Sequence, residues 1–388
     1  MLDAMRSRVV LYIGNFFFSL FATLTVYIVF PYLSSLMPEE YAGLVIAGGA
    51  FVAILCFPYL PRLVARYGTQ RLALVFAIAE VCALLALVVA PGIISEAFLI
   101  ALTVALQPFL YYQLDLLLEA TVAQEEVTGR VRTLFLTAWN VAALAAPLLM
   151  GFLLGTSNDY LWVFVASAVA LIPFIMLFGI QDLPEGELQT ASTMRETFLC
   201  IVRDRDLAAV TFAHLLLYLF YVWTPLYIPI YLHNVLGIPW STLGWMFSIM
   251  LLPYVLVEYP AGWVADRLLG EKELMFGGFV IAGTSLAFIG TLSVNSTPLF
   301  ILCILVVSRI GAALVESMTE IHFFRRVSER DANSVNIFRG IWPLADFIAP
   351  IIGSCLLFLG SYQLLFICTG GCIVVLGVGT TLLIKDSR

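Results

Sequence analysis

The side chains able to do chemistry in this chain are ionisable groups set deep inside apolar runs. Arg309, Asp346 and Glu80 each stand about a dozen residues from the nearest polar flank, which at about 1.5 Å per helical residue is close to the middle of a 30 Å hydrocarbon layer. Arg339 precedes Asp346 on the same helical face, with Trp342 and a helix-bending Pro343 between them. Buried charges need partners, and a carboxylate in a dry site can be tuned to hold a proton near neutrality. The expectation is that Arg309 and Asp346 pair, either as a latch that opens on binding a solute or a proton, or as a static strut. Two acidic pairs at helical i, i+4 spacing, Asp115 with Glu119 and Glu316 with Glu320, could make an acid–base or metal set. Salt bridges at a gate, with Arg66, Arg130 or Arg325, are the reading preferred for them. Glu258 lies close to Asp266 in sequence and joins this gating group; His322 is either a titrating member of it or a hydrated helix-end histidine.

A third set is aromatic. Residues 207–235 carry His214, Tyr218, Tyr221, Trp223, Tyr227 and Tyr231, with Pro225 and Pro229 to bend the helix. A broken, aromatic helix suits a site that stacks a ligand and a gate that flexes. His214, Tyr218 and Tyr221 are assigned to such a site, although a lone histidine on an apolar helix can equally be a satisfied core residue. Tyr231 is assigned to an interfacial aromatic belt. The corresponding first-half helix offers Asn15, Ser19 and Tyr27.

These groups need a scaffold, and the composition says what kind. The chain has 388 residues, 62% hydrophobic and only 12% charged, where soluble domains carry roughly 25% charged residues. Its mean hydropathy is +1.02. Lipid must be the solvent for most of this surface. Apolar runs bounded by polar turns give spans at 8–35, 40–63, 71–90, 96–119, 131–155, 159–180, 207–235, 241–264, 273–293, 297–322, 334–359 and 362–384. The fold class is therefore an all-α integral membrane protein with about twelve transmembrane helices. The first run reads as a retained helix and not a cleaved signal. Of 19 Lys and Arg residues, all but Arg309 and Arg339 fall at alternate span ends. The opposite loops carry Glu39, Glu40, Glu96, Asp159 and His233 instead. By the positive-inside rule, both termini are expected in the cytoplasm, in a cytoplasmic (inner) membrane. No basic tract suggests nucleic acid, and no Gly-x-x-x-x-Gly-Lys-Ser/Thr loop suggests nucleotide drive. The seven cysteines show no metal-site spacing, and all but Cys200 lie in apolar runs. No cofactor and no metal are expected, and no nucleophile-plus-base set points to an enzyme.

The two halves repeat at an offset of about 200 residues. Tyr32-Leu33 matches Tyr231-Leu232, Arg66 matches Arg267, and Asp115 and Glu119 match Glu316 and Glu320. Trp139 and Pro147 match Trp342 and Pro350. The order is kept throughout, which points to a duplicated six-helix unit: residues 1–180, a linker at 181–206, and residues 207–388. The linker turns helical after Pro184 and Gly186, with Arg195, Glu196, Arg203 and Asp204, and is expected to lie along the membrane surface.

At this point the chain resembles the major facilitator superfamily over nearly its whole length. The most specific likeness is Gly262, Asp266, Arg267, Gly270 and Lys272, which is similar to the family's Gly-x-x-x-Asp-Arg-x-x-Gly loop. The family's usual position, between the second and third helices, keeps only Arg66, Gly68 and Arg71 here, with Pro61 and Ala65 in place of Gly and Asp. Gly129, Arg130, Arg132, Trp139, Asn140, Pro147 and Gly151 resemble the family's fifth helix. The resemblance implies two pseudo-symmetric six-helix bundles, alternating access, a small-molecule substrate, membrane lipid around a monomer, and gating through Gly262, Asp266 and Arg267. Proton coupling and efflux of an amphipathic, drug-like solute are the preferred expectations, the aromatic first and seventh helices favouring efflux. Uptake of an anionic solute, favoured by Arg309, is the alternative, and a non-transporting membrane sensor or enzyme is the second class.

Overall fold

A computed structural model of the chain describes residues 2–121, 125–184, 194–327, 337–338 and 340–385. Among these, secondary structure is almost entirely helical and no strand occurs. Twelve helices are long and apolar enough to cross a bilayer: α1 (Arg6–Leu36), α2 (Glu39–Tyr67), α3 (Thr69–Val88), α4 (Ile93–Ala120), α5 (Leu134–Leu154), α6 (Leu161–Ile180), α7 (Arg205–Val235), α8 (Trp240–Ala265), α9 (Glu271–Ile289), α10 (Pro298–Phe323), α11 (Ile341–Leu359) and α12 (Tyr362–Leu383). The expected spans agree with these to within about a turn; at α11 the described span is Ile341–Leu359, and the expected start at 334 lies outside the described residues. A short helix, Met194–Arg203, occupies the linker. Its Phe198 and Val202 are exposed, while Thr197 and Ile201 are buried.

The helices have helical sequences for a simple reason: with no water to satisfy it, the backbone must bond to itself, and only helices or closed barrels do so. Large apolar side chains such as Phe152 (83% exposed) and Val375 (69%) stand on the outside, where only lipid can accept them. Proline breaks the regular helices where flexing is needed. Pro58 opens a 3₁₀ turn, Phe57–Tyr59, within α2. Pro225 and Pro229 precede a π turn, Tyr231–Val235, at the end of α7. Three helical pieces make up α8 and its continuation, Trp240–Met250, Leu252–Leu256 and Glu258–Arg267, the middle one starting at Leu252-Pro253.

The chain divides into two compact units: Met1–Leu188 with Ile238–Ser248, and Gln189–Gly237 with Ile249–Arg388. The first half of α8 thus groups with the first unit, where a two-way split of the sequence puts it in the second. Small residues account for this. A Cβ on Gly151 would lie 2.8 Å from the Gly244 Cα, and one on Gly244 would lie 2.6 Å from the Pro147 carbonyl oxygen. The backbones touch there, as the small residues Ala142, Ala143, Ala145, Ala146 and Gly151 of the fifth helix allow. The Ser248 hydroxyl then donates to the Leu144 carbonyl at 2.7 Å, and Tyr27 stacks on Phe247. Elsewhere in the first unit, Leu60, Val64, Leu72, Phe109 and Tyr112 pack into one apolar cluster beneath the α2–α3 turn.

The second unit uses the same device. Gly278 on α9 meets the backbone of Gly311 on α10, and Gly283 on α9 meets that of Gly370 on α12. Gly262 is different. A glycine in such a loop motif allows close helix packing, yet among the described residues a Cβ there would meet nothing within 4 Å. Gly244→Leu should therefore lower stability by about 1–3 kcal/mol through overpacking. Gly262→Ala should leave stability unchanged or raise it by up to about 1 kcal/mol. Thermal unfolding in detergent checks both, and equal losses in the two variants would contradict this packing.

Candidate functional site

In the second unit, His214, Tyr218 and Tyr221 lie at i, i+4 and i+7 on α7 and so share a face. Glu316 and Thr319 lie one turn apart on α10. The two helices are joined by a short hydrogen bond: the Tyr221 hydroxyl donates to Glu316 Oε2 at 2.6 Å. A bond of this length to a carboxylate is of the strong, charge-assisted kind. Rings surround it. Tyr254, next to the α8 break at Pro253, meets Tyr221 edge-on at 5.8 Å, and Tyr218 meets Tyr221 edge-on at 5.7 Å. Tyr218, Tyr221, Tyr254 and Glu316 are all partly accessible. The set is a carboxylate held by a phenol among three tyrosine rings, able to receive a flat ligand and to exchange its hydrogen-bond donor.

Glu316 was expected in a gate salt bridge; the structure shows it accepting the Tyr221 hydroxyl. Tyr254 is the member that sequence reasoning missed, and its signal is the neighbouring helix-breaking proline. His214 sits at the edge of the set but is buried, stacked on Phe338 at 3.7 Å and edge-on to Tyr218 at 4.8 Å. The Thr319 hydroxyl donates to the Glu316 carbonyl, so the 3.4 Å contact between Thr319 and His214 Nδ1 has the imidazole as donor. His214 is thus a core histidine that props Tyr218 from behind.

The expected pair of Arg309 and Asp346 is absent from this structure. Arg309 is 3% exposed; it donates to the Ser308 hydroxyl at 3.3 Å and lies 5.1 Å over the Phe220 ring. Cation–π contact inside a dry helix bundle offsets part of the cost of burying that charge. Asp346 is partly buried and hydrogen-bonded to the Trp342 side chain one turn before it on α11.

Further along α7 the aromatic side chains are structural. The Trp223 indole donates to the Ala349 carbonyl at 2.8 Å, and the Tyr227 ring occupies the space that a Cβ on Gly353 would need. Tyr231, expected in the interfacial belt, is 1% exposed. Its hydroxyl donates to the Leu292 carbonyl at 2.8 Å, and its ring packs on Tyr362 and Phe366.

In the first unit the corresponding groups tie α1 to α5. The Asn15 amide donates to the Phe135 carbonyl at 2.8 Å and Ser19 donates to the Trp139 carbonyl at 2.9 Å, with Phe18, Tyr111 and Trp139 packed beside them. Glu80 is fully buried on α3 beside the Thr103 hydroxyl of α4. Gln113 on α4, also fully buried, was not singled out from the sequence.

Of the gating residues, Asp115 is partly buried and Glu119 exposed on α4, and Glu320 is exposed on α10. Arg66 and Arg267 are exposed and lie over the rings of Tyr67 and Trp263. Arg325 pairs with Glu271, an acid at the start of α9. The side chains of Arg130, Glu258, Asp266 and Arg339 lie outside the described residues. No cluster among the described residues could hold a metal.

The chain matches the sequence model of the Major Facilitator Superfamily over residues 11–243 and again over 210–388. The chain belongs to the major facilitator superfamily. It is accordingly an integral membrane transporter for a small molecule and not an enzyme. No curated protein matches its sequence. Two solved structures of similar fold are crystal structures of the nucleoside transporter NupG. An Asp-to-Ala variant aligns with a TM-score of 0.79 at 12% identity, covering 99% of this chain and 100% of the other. A second structure gives 0.76 at 12% identity, covering 99% of each. At that identity the likeness establishes the superfamily fold alone.

Tyr231→Phe should cost this transporter about 1–3 kcal/mol, because the Leu292 carbonyl loses its buried donor. Thermal unfolding in detergent reads it; an unchanged midpoint is the result expected of a belt tyrosine and would contradict the buried assignment.

Proposed function

We propose that the protein is a proton-coupled secondary transporter of a small organic solute, with Glu316 as the group that proton and solute share. The observation that carries this reading is the 2.6 Å hydrogen bond from Tyr221 to Glu316, set among accessible tyrosine rings. A carboxylate in a dry bundle needs a donor or a proton. Tyr221 is a donor that a solute hydroxyl or amine can replace, and a proton removes the need for one. Asp346, with Trp342, is the second acid of the same unit and the next candidate for coupling.

The solute that fits is flat on one side and carries hydrogen-bond donors on another. The rings of Tyr218, Tyr221 and Tyr254 supply the stacking surface, worth about 0.5–1.5 kcal/mol per well-placed ring pair. Nucleosides have both features, and NupG is described as a nucleoside transporter, so nucleosides are the first compounds to test. A carboxylate among aromatic rings also suits an amphipathic cation. That observation supports a second reading, efflux of a drug-like cation. The anionic alternative loses its support, since Arg309 is buried against Phe220 and Ser308.

Purified protein in proteoliposomes tests the reading with radiolabelled uridine, adenosine and a lipophilic aromatic cation under an imposed pH gradient. The orientation of the gradient that drives accumulation gives the direction of transport. Glu316→Gln should abolish gradient-driven accumulation while leaving exchange at equal pH. Tyr221→Phe should lower KM, by up to about tenfold, because the solute no longer has to displace the phenol's hydrogen bond to the carboxylate. Gradient-driven accumulation that persists in Glu316→Gln would overturn the role of that carboxylate.

A further inference from the structure

A second ionisable cluster lies at the basic ends of the second unit's helices, and the transport site does not use it. His322, near the end of α10 and read from the sequence as either a gate titrator or a hydrated helix-end histidine, is 3% exposed. Its Nδ1 is 2.7 Å from Glu271 Oε2 at the start of α9, and its Nε2 is 3.0 Å from Asp206 Oδ2 at the start of α7. Both acids are essentially inaccessible, at 1% and 0% exposed. From α10 itself, Arg326 reaches Asp206 Oδ2 at 3.1 Å and Arg325 reaches Glu271 Oε1. From the end of α12, the Lys385 backbone N–H donates to Asp206 Oδ1 at 2.6 Å. Among the described residues, those are the charged and donor groups shown facing the ring and its two acids.

Ionised carboxylates only accept hydrogen bonds, while a neutral imidazole has a single N–H. Two short contacts from one ring to two carboxylates therefore require one proton more than a neutral imidazole supplies. The cluster holds that proton in place, bridging three helices directly and a fourth through Asp206.

The sequence repeat gives an internal comparison. About 200 residues earlier, Gln70 stands where Glu271 stands and Thr121 where His322 stands. In the first unit the Gln70 amide donates to the carbonyls of Phe178 and Gln181, both at 2.6 Å, and accepts from the Leu183 N–H at 2.9 Å. Arg8 donates to the Thr121 carbonyl at 2.7 Å. Among the described residues, the first unit closes its basic ends with a neutral amide and a guanidinium acting on backbone carbonyls; the second does so through a group that titrates.

We propose that His322 is a proton-binding site whose occupied form bolts the basic ends of α7, α9, α10 and α12 together, and whose emptying at alkaline pH loosens the second unit alone. The sign follows from which state holds the proton. The assembled cluster needs it and the loosened one does not, so the bolt is complete on the acid side and is lost as pH rises. A pH-dependent bolt in one half gives an alternating-access protein a half whose stiffness responds to the proton gradient at a site separate from Glu316.

The chain has only three histidines, His214, His233 and His322. Imidazole nitrogen NMR on ¹⁵N-histidine protein in lipid nanodiscs can therefore assign each by removing the other two. His322 should show two protonated ring nitrogens at pH 7 and lose one at alkaline pH. Hydrogen exchange at the basic ends of α7, α9, α10 and α12, corrected for intrinsic rates, should rise about tenfold per pH unit once that proton leaves, the slope for a single proton. The basic ends of α3, α4 and α6 should stay flat. Introducing the first unit's residues, Glu271→Gln with His322→Thr, should flatten the second unit too. A single-protonated His322 at pH 7 would overturn the proposal, as would an unchanged exchange profile in the double variant; the two wild-type measurements decide it even if that variant fails to fold.

Discussion

Lipid offers no hydrogen bonds, and every polar group inside a span must be answered by the protein itself. That constraint explains most of the side-chain arrangement described above. Asn15, Ser19, Ser248 and Trp223 each donate to a carbonyl of a different helix, and each such bond fixes a helix pair; Tyr231 donates to Leu292 in the loop after α9. Arg309 is answered by a hydroxyl and an aromatic face. Where the answer is a carbonyl the contact is permanent. Where it is another exchangeable group, as for Glu316 with Tyr221 and for His322 with Asp206 and Glu271, the contact can be traded for a ligand or a proton.

The two units solve the constraint differently, although their sequences match at an offset of about 200 residues. The first holds its helix ends with Gln70 and Arg8 acting on backbone carbonyls. The second carries an ionisable version there, His322 between Asp206 and Glu271. Small residues make each unit compact, through Gly151 with Gly244 in the first and Gly278 with Gly311 in the second. Proline interrupts α7 and α8 beside the aromatic set, so the exchangeable contact of the second unit sits next to helices that can bend.

Much of this was legible in the sequence. Span positions follow from a periodic solvent requirement that every residue reports locally, and the basic residues checked the count. The approach of α5 to the first half of α8 was partly legible from the alanine and glycine run near Gly151. What was not legible depends on partners far along the chain. Tyr231 reads as a belt residue until Leu292 and Tyr362 are beside it. His322 reads as a gate titrator or a hydrated helix-end residue until Asp206 and Glu271 close on it. Arg309 and Asp346 have the depth and charge of a pair, but depth gives no helix rotation, and their side chains are answered elsewhere. Gly262 matches a family pattern, yet no neighbour among the described residues requires its missing Cβ in this structure.

The central claim is that Glu316 exchanges a proton within a hydrogen bond from Tyr221. Infrared difference spectroscopy on the reconstituted protein, stepping from neutral to mildly acidic pH without ligand, observes that event directly. The account predicts a protonated-carboxyl band that disappears in Glu316→Gln and moves in Tyr221→Phe, because the phenol bonds to the same carboxyl group. An acid-induced band identical in the wild type and in both variants would contradict it.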